Sequence, residues 1–475
     1  MKKPQLDYLI VVSLSMGSGK KEPHWRWLIK IEQEELGMVL RCGACFFFLL
    51  FGYFLLRPLR EAMGVQRSMD ELRGLFIITC VVSLLVTIAF GSIVSKLDRK
   101  RFISFAYRFV MLCLVGFMIS RAFFGDEVKL YSGYVFYVWL SVVNLFMVSV
   151  FWGFMADIWT LGSGKRVYAA IGVGGTLGAL LGSNFVWWLA DTVGPIWQMG
   201  IAIVMFELAV QTVYLIDKRS RKHSQQVNES VSIAEPIGGS LMDGAKAVCR
   251  SPYMLGIGLY IVLLAVSNTL LYFTQAQLVV DASDELVARV SIFAQLDMWT
   301  QLATLMVQLF VTSHLIKRVG IGVSLSLLPI ITVAGFVVLA YVSSRPGIEG
   351  WQIFATFAVF NAIHRATRYA VIRPARETLF SVLSTEDKYK AKPIVDVFLY
   401  RGGDVAGTGV EKLVASTVAG FAGMIFLVAP LAVFWGGLAI GLAIVQQRKA
   451  KTESEEHAFL VQQQTQGQSI STTLE

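Results

Sequence analysis

Arg57-Pro58-Leu59-Arg60-Glu61 closes one long apolar run, and Arg373-Pro374-Ala375-Arg376-Glu377 closes another in the second half of the chain. Runs of this kind cross membranes, where a spanning helix needs about 20 predominantly apolar residues. A charge at the middle of such a helix costs about 2.5–3.5 kcal/mol on insertion scales, so intramembrane arginines face a cavity or a partner. The second copy follows Asn361, His364, Arg365 and Arg368 within the same run. Arg57 or Arg373 alone reads as a helix-end anchor at the lipid head groups. Arg365 and Arg368, well inside their run, do not.

Composition agrees. The 475 residues are 55% hydrophobic and only 16% charged, where soluble domains carry nearer a quarter, so this is an integral membrane protein. The net charge of +9 lies in loops between apolar runs rather than on one patch, which excludes nucleic acid as a partner. Cys42, Cys45, Cys80, Cys113 and Cys249 fall mostly in or beside apolar runs and give no disulfide framework. Five scattered histidines make no metal site, and no cofactor motif is present. Gly17-Ser18-Gly19-Lys20 and Gly162-Ser163-Gly164-Lys165 are only fragments of a phosphate loop, lacking its first glycine and its final Ser or Thr.

Twelve spans can be read, near 38–59, 74–96, 102–122, 130–156, 168–190, 195–216, 253–279, 291–316, 320–343, 351–374, 394–416 and 420–446. Basic loops alternate with acidic or mixed ones, which by the positive-inside rule puts both termini in the cytoplasm of an inner-membrane protein. Arg67 and Arg73, after the first span, are a mild exception. Residues 1–37 read as an extension and amphipathic segment, with 1–22 dispensable. The first six spans occupy 38–216 and the second six 253–446. The central cytoplasmic loop, 217–252, should end in a short surface helix, and 447–475 should be a disordered tail.

A faint repeat relates the halves. Gly174-Gly175-Thr176-Leu177-Gly178 opens the fifth span after a basic loop, and Gly402-Gly403-Asp404-Val405-Ala406-Gly407 opens the eleventh after another. The expected fold is therefore an all-α membrane protein, a pseudo-symmetric 6+6 bundle of the major facilitator type, with spans 1, 4, 7 and 10 lining a midplane cavity.

Asn361, Arg365 and Arg368 share one face of span 10, with His364 beside them. Arginine suits phosphate and carboxylate because its planar fork donates paired hydrogen bonds and stays charged. Asn268, Tyr272 and Gln275 repeat the spacing on span 7, as do Tyr137, Ser141 and Asn144 on span 4. Each stripe read alone is equally polar glue between helices. With Arg60, the residues Arg365, Arg368, Asn361, His364, Asn268, Tyr272, Tyr137 and Asn144 are the expected substrate contacts. Arg57, Glu61, Arg373, Arg376, Glu377, Arg401, Asp404 and Glu411 are expected gating ion pairs, and Asp297 a proton-coupling site. Arg108 and Glu207 read as structural charges of unknown partner. No clustered nucleophile, base or metal ligands mark an enzyme.

Tyr53-Phe54-Leu55-Leu56-Arg57-Pro58-Leu59-Arg60-Glu61-Ala62-Met63-Gly64-Val65 resembles the ATP/ADP translocase family. Ala156-Asp157, Gly164-Lys165-Arg166, Gly174 to Gly178, Ser251-Pro252-Tyr253 and Asp387 to Lys392 with Asp396 do so too, in order. The resemblance implies twelve helices and, in characterised members, counter-exchange of ATP for ADP, while some relatives move other nucleotides with protons. It places the family's functional base of the first span on Arg60, where exchangers carry lysine. It places the lysine position of span 11 on Asp404, and so points to the free-living bacterial branch. The expected function is a secondary transporter that exchanges a nucleotide or other anionic organic phosphate by alternating access. It is expected to be a monomer amid membrane lipid. The alternatives are a proton-coupled symporter of another metabolite and, less favoured, a membrane-embedded enzyme or lipid scramblase.

Overall fold

The computed structural model describes residues 33–94, 99–159, 161–224, 241–310, 312–384, 391–417 and 420–473, apart from positions 191 and 193. The segment expected to be dispensable, 1–22, and residues 225–240 of the central loop lie outside the described residues. The N-terminal half comprises α1 (Gln33–Gly64), α2 (Met69–Val94), α3 (Arg99–Phe123), α4 (Asp126–Ile158), α5 (Leu161–Leu189) and α6 (Pro195–Ser224). A short helix, α7 (Leu241–Arg250), leads into α8 (Pro252–Ala282), α9 (Leu286–Phe310) and α10 (Thr312–Ser343). Next, α11 (Gly350–Thr367) passes through a π turn, Arg368–Ile372, into α12 (Arg373–Leu379). A second π turn, Ile394–Leu399, opens α13 (Tyr400–Thr417), and α14 is Gly420–Thr473.

Taking α11 and α12 as one rod and leaving α7 aside, the twelve expected spans fall on twelve helical rods. Among the described residues, nine are long and apolar enough to cross a membrane by composition alone. The other three rods, α9, α11 and α13, are those that carry Asp297, Arg365 with Arg368, and Asp404 with Glu411.

The glycine repeat has a packing reason. A Cβ at Gly174 or Gly178 would collide with the backbone of Gly43 or Phe47, and one at Gly182 would come within 2.7 Å of the Phe51 carbonyl oxygen. Only hydrogen lets α5 lie that close to α1. In the second half a Cβ on Gly403 would sit 2.8 Å from the Val262 carbonyl oxygen, and one on Gly407 would sit 2.8 Å from Thr269 Cβ. Thus α13 meets α8 as α5 meets α1. Across the halves, α9 packs on α5 and α1, and α13 packs on α2.

The structure differs from expectation in two places. Residues 447–473, expected to be disordered, continue α14 as helix. Gln is their commonest residue, and Gln and Glu both favour helix; Lys451 lies 3.7 Å from Glu455 one turn on. The basic loop expected at Lys317-Arg318 is helical, and the chain turns instead at Gly320, whose φ of 82° suits glycine. Short helix α7 is present as expected, with Val248 buried in a core shared with Tyr253 and Met254.

Candidate substrate cavity

A cavity of about 1120 Å³ opens between the halves. Spans 1, 4, 7 and 10 contribute as expected, through Arg57, Asn144, Tyr272 and Arg365, and α5, α9 and the α13 rod add Thr176, Gln308 and Tyr400. It reaches from the bundle's middle past Trp152, Tyr168 and Gln308 to Arg373 and Glu377, toward the end that carries the basic loops. Six arginines line it, Arg57, Arg60, Arg365, Arg368, Arg373 and Arg401, against the carboxylates of Glu61, Glu377 and Asp404.

At its deep end one carboxylate joins the halves. Asp297 of α9 is 1% exposed; its Oδ1 lies 2.8 Å from Arg57 Nη1 and 3.3 Å from Arg365 Nη1. Arg57 is therefore no head-group anchor, because Pro58 lies inside α1 and the helix runs on to Gly64. Arg365 also donates to Gln275 Oε1 at 3.1 Å, and Asn361 Nδ2 donates to the same oxygen at 3.2 Å. The i, i+4 face read on span 10 thus meets the polar stripe of span 7.

A second cluster surrounds Glu61. Arg60 Nη2 sits 2.6 Å from Glu61 Oε1, Tyr272 donates to Oε2 at 2.8 Å, and the Tyr272 and Tyr137 hydroxyls are 2.6 Å apart. Arg60 donates to Ser141 Oγ at 3.0 Å and lies over the Tyr137 ring at 4.7 Å. This joins three expected contacts, Arg60, Tyr137 and Tyr272, through an expected gate residue. Asn268 Nδ2 donates to the Tyr400 hydroxyl at 3.4 Å, His364 Nε2 is 3.4 Å from Ser267 Oγ, and Asn144 lines the wall.

The expected gate residues divide. Arg401 pairs with Asp404 at 2.9 Å, but Glu411 pairs across the halves. Arg73 of α2 grips it with two bonds, 2.6 and 2.8 Å, at the end away from the basic loops. Nearby, Arg289 of α9 donates to the Val65 carbonyl at 2.7 Å. These links join the halves at that end, while the cavity opens at the other. Arg376 and Glu377 pair within their own half, Arg376 with Asp396 at 3.2 Å and Glu377 with Lys392 at 2.6 Å. Arg108 and Glu207 are each other's partner at 3.0 Å, away from the cavity.

Fold and cavity together define a membrane transporter of the major facilitator type. The fold resembles that of the nucleoside transporter NupG, with a TM-score of 0.52 and 12% identity, covering 88% of this chain and 100% of that one. A point mutant of the same transporter aligns with a TM-score of 0.56 and 13% identity, covering 87% and 99%. The TLC ATP/ADP transporter family model matches residues 124–443, and the chain belongs to that family. ADP,ATP carrier protein 1 of Chlamydia muridarum is 23% identical over 448 residues, covering 81% of this chain and 83% of the relative. ADP,ATP carrier protein 2, chloroplastic, of Arabidopsis thaliana is 21% identical over 453 residues, covering 82% and 70%.

Proposed function

We propose that this multi-pass membrane protein exchanges anionic nucleotides by alternating access, in an inner membrane with its basic loops and both termini on the cytoplasmic side. The observation that carries this reading is the cavity between the halves, with six arginines and the aromatic faces of Phe54, Phe76, Trp152 and Tyr369. Phosphate oxygens suit the guanidinium forks, and a purine ring suits the aromatic faces. At about 1120 Å³ the space is at or above the usual range of about 300–1,000 Å³ for small-molecule sites.

Asp297 supplies the coupling in this reading. It holds Arg57 and Arg365 together, and a phosphate competes with it for the same two forks. Binding then frees the contact between α1 and α9, and the halves rock to open the opposite end. The links to break there are Arg73–Glu411 and Arg289 to Val65. Without an anion the forks return to Asp297, which disfavours an empty transition and favours exchange.

One observation supports a second reading, proton-coupled symport. Asp297 Oδ2 is buried without a hydrogen-bond partner among the described residues, so the carboxyl has an oxygen free to take a proton. Uptake of labelled nucleotide into proteoliposomes separates the two. Exchange needs nucleotide inside, whereas symport needs a proton gradient and no internal substrate.

A further inference from the structure

The two Arg-Pro-x-Arg-Glu copies fold differently. Pro58 sits in an unbroken α-helix, and the arginine before it is held by Asp297. Before Pro374 the helix widens into the π turn Arg368–Ile372, where the Arg373 backbone N–H donates to the Arg368 carbonyl, an i→i−5 bond. The cause is local. Proline has no N–H for the carbonyl four residues back, Ala370, and its ring crowds that carbonyl; a wider turn relieves both.

This widening changes which side chains share a face. Residues five apart diverge on an α-helix, but closing the backbone ring between residues 368 and 373 turns the two positions toward the same face. Arg368 and Arg373 both line the cavity, with Arg373 toward its mouth. The carboxylates nearby are already engaged: Glu377 by Lys392, Asp396 by Arg376, and Asp404 by Arg401. Neither Arg368 nor Arg373 has a carboxylate at ion-pair distance among the described residues. Arg368 instead bonds the Tyr369 hydroxyl and lies over that ring at 4.4 Å, which fixes its guanidinium without neutralising it.

We propose that the π turn makes Arg368 and Arg373 a paired phosphoryl-docking site at the mouth of the cavity, separate from the Arg57–Asp297–Arg365 cluster. The inference rests on the anion-transport reading and narrows it. The pair takes the phosphoryl end of an entering substrate in two guanidinium forks before the deeper arginines compete for it. Chemically the site suits the phosphate of a nucleotide and free inorganic phosphate alike, and the experiment distinguishes them.

The test measures equilibrium binding of ADP, inorganic phosphate and adenosine to the full-length protein in lipid nanodiscs. Arg368→Gln and Arg373→Gln should each weaken ADP and phosphate about tenfold, the size of one lost charge-assisted hydrogen bond, and leave adenosine unchanged. Arg373→Lys, which keeps the charge, should recover part of the loss. Arg345→Gln, exposed on the far end, should match the parent. Parent-like ADP and phosphate binding by Arg373→Gln would overturn the docking site while the transport reading stands. Equal weakening of adenosine would overturn it too, by showing a general structural defect. A parent that binds phosphate but not ADP would end the nucleotide reading and keep the docking site, and one that binds neither would end both.

Discussion

Substituting Glu411 with Gln should open the end of the bundle that is closed here. Glu411 accepts two bonds from Arg73, and their side chains are only 10% and 14% exposed. Breaking one partner of a fully buried pair costs about 3–5 kcal/mol. This pair is partly solvated, and Arg73 keeps a 2.8 Å contact to the exposed Asp70, so about 1.5–3 kcal/mol, as for hydrogen bonds to charged groups, is the better figure. Since that link exists only while the two halves touch at this end, its loss should move the conformational equilibrium by roughly ten- to 150-fold. The assay is thiol accessibility. A cysteine replacing Asn144 on the cavity wall, in a background without the five native cysteines, is labelled by an impermeant reagent from either side. Glu411→Gln should raise labelling from the side away from the basic loops and lower it from the other. Asp70→Asn, which touches the same arginine from its own helix, should leave labelling near the parent's. Unchanged labelling in both Glu411→Gln and Arg73→Gln would refute the assignment of this pair as a seal.

Three further outcomes rest on the same geometry. Arg365→Ala should weaken nucleotide binding tenfold or more relative to Arg345→Ala, because it removes charge-assisted bonds at the deep cluster; equal small effects in a direct binding titration would count against substrate contact. Asp297→Asn should tighten nucleotide binding by removing the competitor for Arg57 and Arg365, yet slow exchange. Unchanged affinity with loss of pH-gradient-driven uptake would favour the proton role instead. Gly178→Leu should prevent α1 and α5 from closing and abolish monodisperse folded protein by size exclusion, whereas Gly116→Leu, with open space around its Cα, should be tolerated.

The spans were readable because hydrocarbon demands long apolar helices, and exceptions to apolarity marked the cavity. Asn361, Arg365 and Arg368 showed themselves by helical spacing, as did Asn268, Tyr272 and Gln275, and the structure brings Asn361 and Arg365 onto Gln275. The glycine repeat reported helix contacts for the same reason, since only small residues allow backbones so close. Partners across the halves were not readable. Arg73 looked like an exception to charge bias, and its partner lies 338 residues away. Nothing in local spacing connects residues so distant, and Glu411 has Lys412 beside it as a decoy. The π turn was equally hidden, because the motif is the same around Pro58 and Pro374 and only packing decides which copy widens. The tail misled for a different reason: polarity was read as disorder, although Gln, Lys and Glu are also good helix formers.

The most direct test is counter-exchange in proteoliposomes with the protein as the only component. Vesicles loaded with unlabelled ADP should take up labelled ATP, and empty vesicles should not. Excess external nucleotide should suppress the uptake, excess adenosine should not, and Arg365→Ala should lose most of it. Uptake that ignores internal nucleotide, or that adenosine competes as well as ADP does, would contradict the account.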